Sequence, residues 1–394
     1  MSPRFYSILR ESHTPFIRAE VTYNGAIVVP DLQVTGGSVT MQADDLSRSS
    51  LSGLTYIDRN RTLLPDTPNS VLGVYGHEIN IYRGVRFSGS DYSPDVIEEA
   101  LVGKFRVQSL NAEEIWSRPD GEAYHSPAEW LYVGSLVSAD GQDRAANIID
   151  ARFINAEQPL SGNSVQDEII RICDDIIEVD TSNWYTLPDK TPPSSIAYQE
   201  DRGDALADLA QAIDCRVFVT RDGLLRLEPI GELPNSLLGT ERPIPAVQSI
   251  STTTTRDGIY NAVVARGEEI DNAYPVQGFH PDDDPSGRTT WGGPFGRVPY
   301  FYASPILGTP QAAELAAETR MKNLIKGRER KFTLTGVPDP TLDPNDYVRV
   351  VLPGREPFPG KIESITLPLD ETSLMTLEIV ASEATVLEAV LPGS

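Results

Sequence analysis

Over much of the first 140 residues apolar and polar positions alternate with period two, as they do in strands that cover one face. FIRAEVTYNGAIVVP holds Asn24-Gly25 between two such runs, the strongest short hairpin signal, because both residues tolerate the left-handed backbone of a tight turn. A second hairpin is expected at HEINIYRGVRFSG, turned at Arg83-Gly84. Further strands are expected at GKFRVQSL and EWLYVGSLV, so residues 16 to 138 offer at least six short strands.

The period then changes. SVQDEIIRICDDII sets Val165, Ile169, Ile172, Cys173 and Ile176 at helical spacing behind a candidate N-cap, Ser164, with Asp167 three positions on. DALADLAQAID predicts a second helix with Leu206, Leu209 and Ile213 inward, leading into CRVFVTRDGLLRLEP, a hairpin turned at Asp222-Gly223. Residues 231 to 258, with Pro234, Pro243, Pro245 and the run STTTT, read as a connector. IYNAVVARGEE is expected to open the last domain, followed by a long irregular excursion over 271–305, and loops of that length in a compact domain are usually functional or ordered by a partner.

Thr309, Pro310 and Gly327 punctuate a helix over 309–327 whose Ala313, Ala317, Met321 and Leu324 share a face small enough to sit close to a sheet. KFTLTGV, a proline-stiffened link from Pro338 to Asp346, the strand YVRVVL, and a hairpin of KIESITLPL with LMTLEIVAS across Asp370 to Ser373 complete the chain. The expected fold class is a β-rich α+β multidomain chain. Its expected parts are a β-domain over 1–150, an α+β middle domain over 151–245, and a β-domain over 246–394 that contains the helix and the long loop.

Composition narrows the function classes. Of 394 residues 57 are acidic and 33 basic, and the resulting charge of -24 argues against a protein that binds duplex DNA by neutralising phosphates. The N-terminus has no apolar core of signal-peptide length, and no run approaches the roughly 18 apolar residues of a membrane span, so a soluble chain made in a cytosol is expected. Cys173 and Cys215 read as two buried thiols. None of His13, His77, His125 and His280 lies at helical ligand spacing from another, and the sequence contains no nucleophile elbow, Walker loop or dinucleotide fingerprint. No catalytic residue, metal or cofactor is therefore assigned.

Three features invite other readings. The acidic run Asp282-Asp283-Asp284, with His280, Glu268, Glu269 and Asp271 before it, lacks the alternation of an EF-type loop and reads as a solvated acidic segment. Trp291, Phe295, Tyr300, Phe301 and Tyr302 form a candidate partner-binding loop, as interface anchors or as platforms for sugar rings. Arg320, Lys322, Lys326, Arg328, Arg330 and Lys331 crowd the helix end, where cations suit the helix dipole; the sharper reading is a basic seam that docks an acidic face of a neighbouring subunit.

Three separated segments carry a resemblance. VLGVYGHEINIYRGVRFSG with LVGKFRVQSL, DALADLAQAIDCRVFVTRDGLLRLEP, and the C-terminal helix, strand, PDPTLDPND link and strand resemble, in that order, parts of phage tail hub proteins, most of all those of siphophages infecting actinobacteria. The resemblance implies two small β-barrels flanking an α+β insert, and a homotrimer at the tail tip whose six barrels match a sixfold ring above while the other face is threefold. It further implies a central channel that DNA traverses without specific binding, a place in the virion, and neighbours among the distal tail protein, tail tube, tape measure protein and tip, spike or fibre proteins. With the last predicted strand ending just before Ser394, any cell-wall cleavage is expected of another protein. The alternatives are a carbohydrate-binding tail protein using the aromatics at 291–302 and a cell-wall hydrolase.

Overall fold

Asn24 and Gly25 both take positive φ, 49° and 75°, and join antiparallel strands β1 (Thr14–Tyr23) and β2 (Ala26–Leu32), with Tyr23 opposite Ala26. This computed structural model describes residues 5, 8–9, 13–43, 46–87, 96–117, 130–192, 197–229, 242–243, 247–253, 256, 258–267, 276–285, 287–303, 309–326, 329–350 and 357–382. The chain divides into two units. Unit 1 comprises Met1–Ile250, Thr333–Arg349 and Lys361–Ile379, and unit 2 the segments Ser251–Phe332, Val350–Gly360 and Val380–Ser394.

Unit 1 continues with β3 (Val34–Gln42), β4 (Ser49–Asp58), β5 (His77–Phe87), β6 (Val96–Ser117) and β7 (Leu131–Asp143). Two of these depart from the short strands expected. The expected hairpin at Arg83-Gly84 is instead the interior of β5, which pairs in continuous register with β1 and, past a register shift between Ile81 and Tyr82, with β6. Gly84 is there for close approach, because a Cβ at that position would lie 1.9 Å from the carbonyl oxygen of Glu98 on β6. Arg83, only 2% exposed, donates to the carbonyls of Pro368 and Asp370 and so fixes β5 to the C-terminal hairpin. GKFRVQSL is likewise one stretch of a 22-residue strand.

After β7 come α1 (Ala145–Asp150), α2 (Val165–Cys173), β8 (Val179–Asp180), α3 (Arg202–Ala212), β9 (Cys215–Val219) and β10 (Leu225–Pro229). Ser164 and Asp167 form the full capping box at the start of α2. That helix ends sooner than its pattern suggests, because Asp174 turns extended and Asp175 left-handed; Ile176 packs on the same core from beyond the helix. Asp201 caps α3 by accepting from the N–H groups of Gly203 and Asp204. The sheet order β8-β10-β9 sits beside these helices around Ile169, Leu206, Leu209, Ile213, Val219 and Leu227. Cys173 and Cys215 are buried and free, and burial pushes the Cys173 thiol up to about 12.

The remaining elements are β11 (Arg242–Pro243), β12 (Val247–Thr253), β13 (Ala262–Arg266), β14 (Gln277–Pro281), β15 (Pro299–Ala303), α4 (Pro310–Lys326), β16 (Glu329–Gly336), β17 (Tyr347–Val350), β18 (Phe358–Pro368) and β19 (Met375–Ser382). The expected connector over 231–258 thus contains β11 and β12, and Ser251 to Thr253 of the polar run are strand because the partner β16 supplies the ladder; Ser249 and Thr335 join their hydroxyls at 2.5 Å. The large sheet runs β12-β16-β19-β18-β3-β4-β7-β6-β5-β1-β2, so a C-terminal hairpin continues an N-terminal sheet, with Leu367 opposite Val39. Among the described residues this path is open, with no closing pair between β12 and β2.

The link from Pro338 to Asp346 is fixed by local caps and by two long-range arginines, of which Arg48 donates to the carbonyl of Pro344. Asp339 accepts from the backbone and hydroxyl of Thr341, Asp346 accepts from the N–H of Asp343, and Asn345 takes φ 73°. Arg221, from the β9–β10 turn, donates to the carbonyls of Pro340 and Leu342 and pairs with Asp343 at 2.8 Å.

Candidate functional site

Unit 2 holds the five aromatic residues singled out above, and its architecture begins with β13. This strand pairs antiparallel to β14 and parallel to β15, so that Val264 faces Phe279 on one side and Phe301 on the other. Val263 and Ala265 turn to α4, where Ala313, Ala317 and Met321 are buried as the small apolar face predicts. The approach is close because Gly278 has no side chain; a Cβ there would lie 2.3 Å from the carbonyl carbon of Ala313. Within the expected irregular excursion over 271–305, the described residues 276–285 and 287–303 instead form two strands joined by an ordered turn segment; 271–275 and 304–305 lie outside the described residues.

Asn261, fully buried, orders that segment. Its amide donates to the carbonyls of Thr289 at 3.0 Å and Gly296 at 2.8 Å and accepts from the N–H of Val298 at 2.8 Å, while its own carbonyl takes the N–H of Asp282. Asp282 is buried and accepts the Thr289 hydroxyl at 2.7 Å; its carbonyl takes the Trp291 N–H at 2.8 Å. The acidic run is thus partly structural, with Asp282 inward and Asp283 and Asp284 exposed. Among the described residues no group of three or more His, Cys, Asp or Glu side chains converges on a metal position. Glu268, Glu269 and Asp271 lie outside the described residues.

Alternation divides the aromatic residues between two faces. Tyr300 and Tyr302 pack toward α4, whereas Phe301, 57% exposed, and Phe279, 42% exposed, stand on the opposite face, with Trp291 edge-on against Phe279 at 5.4 Å. A guanidinium lies over nearly every ring. Arg266 sits 4.8 Å from Phe301, Arg297 5.9 Å from Trp291, Arg256 4.6 Å from Phe295, and Arg320 5.6 Å from Tyr300 and 5.7 Å from Tyr302. The structure therefore brings Arg320, from the basic group, to two tyrosines of the aromatic group. Sequence reasoning missed Phe279, Arg256, Arg266 and Arg297; the one available signal was an arginine just before the run Pro299-Tyr300-Phe301-Tyr302.

The rest of the basic group disperses. Lys322 pairs with Glu318 one turn earlier at 2.6 Å, and the hydrogen bond holds the Glu318 carboxyl below the usual carboxylate range. Arg330 and Lys331 lie on β16, half-buried and exposed; Arg328 and the side chain of Lys326 fall outside the described residues, as does Gly327.

Charge is unevenly divided. Unit 1 contains 44 acidic and 22 basic residues, unit 2 contains 13 and 11. In unit 1 arginines pair with carboxylates, as Arg18 with Glu99, Arg144 with Glu78 and Arg226 with Asp180. In unit 2 Arg256, Arg266, Arg297 and Arg320 are exposed, stacked on rings, and without a carboxylate partner among the described residues. Unit 1 also carries an open cleft of about 660 Å³ lined by Asp174, Asp175, Glu178, Ile170, Ile176 and Ile177.

No protein-family model and no curated protein matches the chain. Solved structures do match in fold. The 43 kDa tail protein of prophage MuSo2 from Shewanella oneidensis superposes with a TM-score of 0.55 at 13% identity, over 94% of this chain and 99% of that one. A tail protein from Neisseria meningitidis MC58 gives 0.52 at 11% identity, over 95% and 99%. A chain of the half-lidded Francisella PdpA-VgrG complex gives 0.50 at 9% identity, over 98% of this chain and 60% of that one. The chain thus shares a fold with two tail proteins over nearly the whole length of each.

Proposed function

We propose that the protein is a structural component of a phage tail, placed at the tail tip as a hub. The observation that carries this reading is the match in fold to two tail proteins along almost all of both chains, which leaves little of either chain outside the shared architecture. In this role three copies form a ring. Each contributes two similar β-domains on either side of the α+β insert, adapting a sixfold tube or distal tail ring to a threefold tip. Tail tube, distal tail, tape measure and tip or fibre proteins are its neighbours, and DNA passes through the ring. The twofold excess of carboxylates in unit 1 suits a surface past which DNA must slide, because like charge keeps phosphates from adhering.

The chemistry required is that of assembly and not of turnover. Light-scattering mass measured beside negative-stain images of the purified chain tests the ring. About three chain masses and threefold particles with an axial hole are expected, and a monomer at every concentration contradicts the reading.

A further inference from the structure

Two surfaces of this one chain carry complementary unsatisfied chemistry. On unit 2, Arg266 over Phe301 and Arg297 over Trp291 hold two guanidinium groups on the sheet face turned away from α4, flanked by the half-exposed ring of Phe279. Neither arginine has a carboxylate partner among the described residues, in a chain with 57 carboxylates to choose from. Stacking on a ring orients a guanidinium and leaves its edge donors free, the geometry that accepts a carboxylate in bidentate fashion. On unit 1, Asp174 and Asp175 are exposed at the end of α2 without a cationic partner among the described residues, and with Glu178 they rim a cleft whose other walls include Ile170, Ile176 and Ile177. Ile170 itself is 46% exposed. One surface is aromatic and cationic; the other is partly aliphatic and net anionic, its arginine, Arg144, being paired with Glu78 at 2.7 Å.

We infer that the Arg266–Arg297 aromatic face of unit 2 docks into the Asp174–Asp175 cleft of unit 1 on a second copy of this chain. This rests on the reading of the protein as a tail component built from several copies, and it names the contact between them. Because the two surfaces differ, the contact is head-to-tail, and head-to-tail contacts close into a ring when the rotation between copies allows. Arginine and aromatic side chains are the residue types that dominate protein interfaces, and apolar contact around the charged pairs excludes water from them. A neutral glycan fits less well, since a guanidinium already covers one face of each ring it would need.

The test is a charge swap read by sedimentation velocity. Wild type is expected to self-associate at low salt and to dissociate as salt rises. Arg266→Glu with Arg297→Glu, or Asp174→Lys with Asp175→Lys, should each weaken self-association at least about tenfold while leaving the thermal midpoint near that of wild type. A chain carrying both reversals should recover it, since every swapped contact is again complementary. Unaltered assembly in either pair, or no recovery in the combined chain, overturns the docking; rings that persist in both pairs leave the hub reading standing. Wild type that stays monomeric overturns both. Association of wild type with duplex DNA or with heparin through Arg266 and Arg297, in place of self-association, assigns the face to phosphate or sulfate polymers and also overturns the proposal.

Discussion

At Gly84 one hydrogen atom in place of a methyl group lets β5 and β6 lie side by side. Gly84→Ala drives a carbon into the Glu98 carbonyl, and overpacking of that kind is expected to cost about 1–3 kcal/mol, read as a lower denaturant midpoint with an unchanged slope. The same glycine explains a misreading. Arg-Gly between alternating runs signals a turn, but the letter does not distinguish a glycine needed for positive φ from one needed for close approach, and the deciding atom is on another strand. Asp143 shows a second effect hidden from sequence. It is buried where β7 meets α1, accepting from the Ser49 and Ala145 N–H groups and the Ser47 hydroxyl, and burial pushes its carboxyl up to about 6 against those donors. A folded-state value above the ordinary 3.8 means that the folded chain holds the proton more tightly, so this contribution is full below 3.8 and is lost as pH rises through 6. The stability gap between wild type and Asp143→Ala should therefore shrink by up to about 3 kcal/mol from pH 4 to 7. A gap that widens over that range contradicts the assignment.

Elements with local signals were legible and elements made by distant pairing were not. The capping box at Ser164, the Asn24-Gly25 turn and the alanine face of α4 are written in adjacent residues, and each appears where its residues place it. By contrast β14, with Gly278 and Pro281, has almost no strand propensity and exists because β13 offers a ladder. The Arg-on-ring stacks depended on that same pairing, which is why the aromatic residues could be read as a group but not sorted into faces. Asn261 is the test of the ordered segment: Asn261→Ala removes three hydrogen bonds at a buried position and should cost roughly 1–3 kcal/mol. Amide exchange over 287–298 should quicken while that of β5 and β6 stays slow; equal protection in the variant would count against Asn261 as organiser. Arg221 plays the corresponding part for the proline-rich link. Arg221→Ala is expected to lower unfolding free energy by about 2 kcal/mol, since two carbonyls and the Asp343 carboxylate lose a charged donor. No change in the denaturant midpoint would contradict that role.

For the whole molecule, the β-rich class and the α+β insert followed from periodicity, whereas the joining of N- and C-terminal segments in one sheet did not, because nothing local in KIESITLPL names Val34–Gln42 as its neighbour. The charge division was present in the sequence but had no meaning until the units were known. The carboxylate excess predicts that duplex DNA is not retarded by the chain at about 50 mM salt, where electrostatic binding is strong. Retardation there would contradict a surface over which DNA slides. Gold-labelled antibody raised against the chain, applied to intact phage particles that carry it and imaged by electron microscopy, decides the proposed place in a phage tail. Gold gathered at one end of the tail is the predicted result; gold on the capsid, or labelled protein found only apart from particles, would contradict it.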